Sequence, residues 1–232
     1  MCQLSRPQQL SLLLWSLARI HNTVLFNEHK PMPETQQLDI ESNILSSSIL
    51  VGLFNQIADE KKTVVLDMGL ASSATVSFFS QTTCRLQFAG LINSEIEKYN
   101  DQELSHVERV ALFKNDLNLQ ANIKIDIVLF WDLFCYLNAP AIAAVLEALI
   151  PNLHSRTKAH SIGLLNARQK MQYSEYGIKA IDQLWQQPSA SDQPRMYSHS
   201  RHDFSRILNY LAIDRSCLLS GNRVENLLMI NT

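Results

Sequence analysis

Thr63-Val64-Val65-Leu66-Asp67-Met68-Gly69 is the stretch on which the reading of this chain turns. Four apolar or β-branched residues run into an acid, and a glycine follows two positions later. A run this short, with no polar alternation, suits a strand buried on both faces, as strands of a parallel sheet are. Outward from it, similar runs recur at Leu86 to Ile92, Val110 to Phe113, Ile125 to Phe130 and His160 to Leu165. Between the last two, Ala141, Val145, Leu146 and Leu149 fall at helical spacing, with Pro140 near the start and Pro151 just beyond the end. That pattern predicts a helix closing a βαβ crossover.

Past Asn166 comes a longer polar section holding Tyr173, Tyr176, Ile181, Leu184 and Trp185, followed by a Ser-, Gln- and Pro-rich loop from Gln186 to Arg195. Lids and substrate loops have this composition, and so do surface excursions. Ser200 and Asp203 predict a helix start, with Phe204, Ile207, Leu208 and Leu211 on one face. Ser216 to Leu219 and Val224 to Ile230 flank the turn Ser220-Gly221-Asn222. Strands joined so closely must be antiparallel, because a parallel pair needs a crossover of roughly a dozen residues or more.

Ahead of the sheet, Leu10, Leu13, Leu14 and Leu17 mark an amphipathic helix. Pro31 and Pro33 mark a loop from His29 to Asp39, and a second helix begins near Ile40 with Leu50, Leu53, Phe54 and Ile57 as its apolar stripe. Residues 1–62 therefore read as a helical extension or cap, and 63–232 as one α/β domain.

The 232 residues are 46% hydrophobic, enough for one core, and carry 20 basic against 22 acidic residues for a net charge of −2. No global field attracts phosphate backbones, so nucleic acid is not an expected partner. Cys2, Cys84, Cys135 and Cys217 lie far apart with no CxxC pair, and His199, His202 and Asp203 are explained by a helix-start loop, so no metal site is expected. No apolar stretch reaches the roughly 18–20 residues of a membrane span, which predicts a cytoplasmic protein without a membrane partner. GxSxG, Walker and HExxH motifs are missing, which argues against the common hydrolase, NTPase and metalloprotease classes.

Five parallel-type strands with crossover helices and a closing antiparallel hairpin resemble the class I S-adenosylmethionine-dependent methyltransferases from about Thr63 to the end. Three motifs carry the resemblance. Val64-Val65-Leu66-Asp67-Met68-Gly69 is similar to the strand and acid that lead into the family's glycine-rich cofactor turn. Ile125-Asp126-Ile127-Val128-Leu129-Phe130-Trp131-Asp132-Leu133-Phe134-Cys135-Tyr136-Leu137 is similar to its fourth-strand pattern, where the strand end faces the transferring methyl group. Met196-Tyr197-Ser198-His199-Ser200 resembles the approach to its sixth strand. The resemblance implies a three-layer Rossmann-like fold and S-adenosylmethionine as cofactor. It places Asp67, Gly69, Ala71, Asn93, Asp116 and Trp131 at the cofactor, and Asp132 where it could orient or deprotonate a small-molecule or protein substrate.

The same comparison exposes losses. In the turn Asp67-Met68-Gly69-Leu70-Ala71-Ser72-Ser73 only the first of the family's glycine positions is kept; Ala71 and Ser73 replace the others. The acid that accepts both ribose hydroxyls is replaced by Ile92, leaving Asn93 or Glu95 as substitutes, and Leu153-His154-Ser155-Arg156-Thr157 stands where a Gly-Gly turn is common. Two expectations follow: a methyltransferase with weakened cofactor binding, or a pseudomethyltransferase that has lost it and serves a protein partner as a binding or scaffold subunit.

Overall fold

A computed structural model describes residues 43–54, 62–93, 95–166 and 168–231. The helix expected at Leu10 to Ile20, the loop from His29 to Asp39, the helix start near Ile40 and Ile57 lie outside those residues.

β2 (Thr63–Asp67) runs parallel to β3 (Cys84–Phe88) on one side and to β4 (Ile127–Leu129) on the other. β4 is in turn parallel to β5 (Lys158–Leu164). β5 pairs antiparallel with β9 (Arg223–Ile230), which pairs antiparallel with β8 (Leu211–Leu219). The order β3-β2-β4-β5-β9-β8 is the mostly parallel sheet closed by a C-terminal hairpin that the resemblance implies, the methyltransferase-like α/β fold. β2 and β4 are adjacent and central because both bury nearly every side chain. The pairing of Asp67 with Leu129 brings their carboxyl ends level.

The helices follow from local chemistry. α1 (Ser48–Phe54) starts where Ser47 Oγ accepts from the Leu50 amide, and it buries Ile49, Leu50, Leu53 and Phe54 against β5, β8 and β9. α2 (Ser73–Phe79) is capped by Ser72, whose side chain accepts from the Thr75 amide. α4 (Ala139–Leu149) has Asn138 as cap, proline in its first turn and a nearly continuous buried face, which packs on α3 (His106–Leu117). α5 (Arg201–Ile207) is capped by Ser200, as predicted, but ends before Leu211, which opens β8 instead of lining the helix.

Four expectations need correction. Val110 to Phe113 is not a strand but the middle of α3. Ser105 and Glu108 cap each other reciprocally at its start, and Val110, Phe113 and Leu117 bury one helical face, so β3 is a sheet edge. The strand expected from Leu86 to Ile92 ends at Phe88, because the chain turns at Gly90 with φ of 61°. Ile44 to Ser46, assigned to a helix, is strand β1, and the helix begins only at Ser48. Last, the polar section after Asn166 is a hairpin of β6 (Ser174–Ala180) and β7 (Gln183–Pro188), which pairs with β1 to make a second, three-stranded antiparallel sheet. Ser174, Tyr176 and Ile178 face inward while Glu175 and Lys179 face out, the alternation of a half-buried strand. Among the described residues no helix is long and apolar enough to cross a membrane.

Candidate functional site

Open α/β sheets bind ligands in the crevice beyond the carboxyl ends of their strands. Here that crevice is bordered by Asp67 at the end of β2, by Gly69, and by Trp131 and Asp132 just past β4. The chain brings these four together and then fills the space between them. Trp131 has a left-handed backbone, φ of 51°, which turns its indole back over the β2 end. Its Nε1 donates to Asp67 Oδ1 at 2.6 Å. A Cβ on residue 69 would lie 3.0 Å from Trp131 Cδ1, so Gly69 makes room for the indole.

The second sheet closes the crevice from above. The Tyr176 ring stacks on Trp131 with centroids 5.8 Å apart and planes 11° from parallel. β6 lies against the first turn of α2: the Ile178 amide donates to Thr75 Oγ1 at 3.1 Å, and a Cβ on Gly177 would stand 2.5 Å from Ser72 Oγ. An isolated glycine in a strand often marks such a close approach. What remains, between Gly69, Ile92, Trp131, Tyr173 and Tyr176, is about 20 Å³, against roughly 300–1,000 Å³ for a small-molecule site.

Burial controls the chemistry of the two aspartates. Both are essentially inaccessible. Asp67 is pushed up to about 7 by burial, against the opposing bonds from Trp131 and the Gly69 amide. Asp132 is also raised to about 7 by burial, opposed first by the bond from Tyr136 and also by the charge of Arg223. Tyr136 donates to Asp132 Oδ2 at 3.1 Å. Among the described residues Asp67 Oδ2 and Asp132 Oδ1 have no hydrogen-bond partner.

The other sequence-predicted residues do not reach this point. Ala71 is exposed on the turn. Asn93 spends both ends of its amide on its own loop, donating to Gly90 O at 2.6 Å and accepting from the Glu95 amide at 2.7 Å. Glu95 is exposed and paired with Lys98. Ile92, at the ribose position, is buried and its carbonyl accepts from the Tyr173 hydroxyl at 3.3 Å. Asp116 sits in α3, where Lys98 pairs with it at 2.8 Å and Tyr99 donates to it at 2.7 Å; both bonds hold its carboxyl below the usual range despite burial's opposing push.

Sequence reasoning missed Arg223 and the residues that dock β6. Arg223 is buried, donating to Gln186 Oε1 at 2.6 Å and to Tyr176 at 3.4 Å, so it ties the central sheet to the second one. Beside it on β9, Glu225 Oε1 receives Ser47 Oγ at 2.6 Å and stands 2.7 Å from His160 Nε2, all three buried. His199 Nε2 donates to Leu137 O at 2.8 Å. Among the described residues no group of three or more His, Cys, Asp or Glu is placed to hold a metal ion.

No family model and no curated protein matches the sequence. Among solved structures the chain is similar to a S-adenosylmethionine-dependent methyltransferase from Clostridium acetobutylicum, at 10% identity and a TM-score of 0.46 over 98% of this chain and 100% of that one. It is also similar to magnesium protoporphyrin IX methyltransferase from Synechocystis, solved with S-adenosylmethionine bound, at 13% identity and 0.43 over 100% of both chains. A third is the 1,6-didemethyltoxoflavin-N1-methyltransferase of Burkholderia thailandensis, solved with S-adenosylhomocysteine and its substrate, at 12% identity and 0.42 over 100% and 93%.

Proposed function

We propose that this chain is a pseudomethyltransferase: a methyltransferase-like fold whose cofactor crevice has been converted into core, working as a binding or scaffold subunit for a protein partner. One observation carries the reading. The Trp131 indole is seated over Gly69 and bonded to Asp67, the two motif residues that the resemblance assigns to the cofactor. About 20 Å³ cannot take S-adenosylmethionine, and the residues present do not fit it. Ile92 offers no acceptor to ribose hydroxyls, and leaving such a pair unsatisfied costs about 1–3 kcal/mol per group. Asp116, the adenine candidate, is occupied by Lys98 and Tyr99.

The competing reading, an enzyme with weak cofactor affinity, requires Trp131, Tyr173 and β6 to leave the crevice together. Titration calorimetry with S-adenosylmethionine and S-adenosylhomocysteine separates the two. No heat of binding at millimolar ligand is the expected result. A dissociation constant in the micromolar range would overturn the proposal.

A further inference from the structure

A well-formed hollow with chemistry of its own lies away from the crevice, against one face of the sheet beneath α5. Successive residues of β5 and β9 point to opposite faces. His160 and Glu225 point to the α1 side, whereas Ser161, Gly163, Val224 and Asn226 line this second cavity. Its volume is about 510 Å³, within the size range of small-molecule sites.

Its walls are aromatic: Phe134, Tyr197 and Phe204, with the two phenylalanine rings 5.4 Å apart and tilted by 60°. The floor is a short polar chain. Ser216 donates to Asn226 Oδ1 at 2.8 Å, and Asn226 Nδ2 reaches Ser161 Oγ at 3.5 Å. That leaves the Ser161 hydroxyl proton without an acceptor among the described residues. At the mouth, His199 has used Nε2 on Leu137 O, and Arg201 is exposed with no hydrogen bond or ion pair among the described residues. Among the described residues no aspartate or glutamate lines the cavity. A cation at the rim, no carboxylate within and aromatic walls select an aromatic body bearing one negative group.

We infer that this cavity is a binding site for a small aromatic carboxylate, with its ring against the wall formed by Phe134 and Phe204, its carboxylate on Arg201 and a polar substituent on Ser161. The site stands whether or not the crevice binds a cofactor.

Calorimetry on the full chain with 2-naphthoate as probe, and with the neutral 2-naphthalenemethanol beside it, tests the assignment. One-to-one binding of the carboxylate is expected, at least tenfold tighter than the alcohol, with a tenfold loss in Arg201→Ala. Gly163→Val should abolish binding: a Cβ there meets only Val224 Cγ1, at 3.7 Å, so the strand accepts it while the branched side chain fills the floor. Ser216→Leu, on β8 across the cavity floor, is the second filling variant should Gly163→Val fail to fold. No binding at millimolar 2-naphthoate, equal binding of the alcohol, or binding unchanged in the folded filling variant would each overturn the inference.

Discussion

The Trp131 indole N–H and the Asp67 carboxyl are joined by a 2.6 Å hydrogen bond across the two central strand ends. The bond makes one motif residue the partner of another, in the place where an enzyme of this fold would keep both for its ligand. Trp131→Ala should therefore act as a core truncation, costing about 3–5 kcal/mol. Urea unfolding measures it; a change within about 0.5 kcal/mol, the range of surface substitutions, would mean the indole is not packed.

Stability should fall as pH rises from about 4 to 7. Asp67 and Asp132 each stand near 7 in the folded chain against 3.8 unfolded, so the folded state holds protons the unfolded state has released. Their contribution is complete below pH 3.8 and is lost as pH passes 7, at up to about 1.4 kcal/mol per pH unit for each group. Asp67→Asn and Asp132→Asn remove the titration and should flatten the slope of Tm against pH between 4 and 7. Equal slopes in wild type and both variants would show the carboxyls ionised throughout.

Gly177→Ala places a methyl 2.5 Å from Ser72 Oγ and should destabilise by about 1–3 kcal/mol through overpacking. Since the clash is with one named oxygen, Ser72→Ala should recover part of the loss, beyond the cost of its own missing cap. A double-mutant cycle in denaturant measures this coupling, and strict additivity would place β6 farther from α2 than described.

Ile92→Asp restores the acid that the resemblance expects for ribose. Ile92 is buried under Tyr173, so the carboxyl should cost at least about 1–3 kcal/mol for unpaired polar burial and bring no affinity for S-adenosylmethionine. Calorimetry and melting temperature together decide it: tighter cofactor binding with an unchanged Tm would favour the enzyme reading.

The parallel core was legible because its strands carry their own burial: Val64-Val65-Leu66 and Ile127-Val128-Leu129 have no polar face to be misread. The closing hairpin was legible from its three-residue turn. Val110 to Phe113 misled because a four-residue apolar run has no visible period. The deciding signal lay just upstream, in the Ser105 and Glu108 spacing of a capping box. The hairpin β6–β7 was hidden by the polar composition of the section around it, although the alternation from Ser174 to Lys179 was there to be counted. At the site, Asp67, Gly69 and Trp131 do lie against one another, but the contact they make was not readable: it depends on a positive φ at a tryptophan, which no sequence pattern announces.

The sheet that covers the crevice draws β1 from one end of the described chain and β6–β7 from well past the fifth parallel-type run. It is held at several points: the Ser47 amide on Asp182 O at 2.7 Å, the Ile178 amide on Thr75, and Arg223 on Gln186. A gate swings on two hinge points and exchanges its amide hydrogens on its own timescale. This cover has no such freedom. Uncovering Asp67 means parting strands and releasing a buried arginine in one cooperative event, so the Ile178 amide should exchange with deuterium in step with the central-strand amides of Leu66 and Val128.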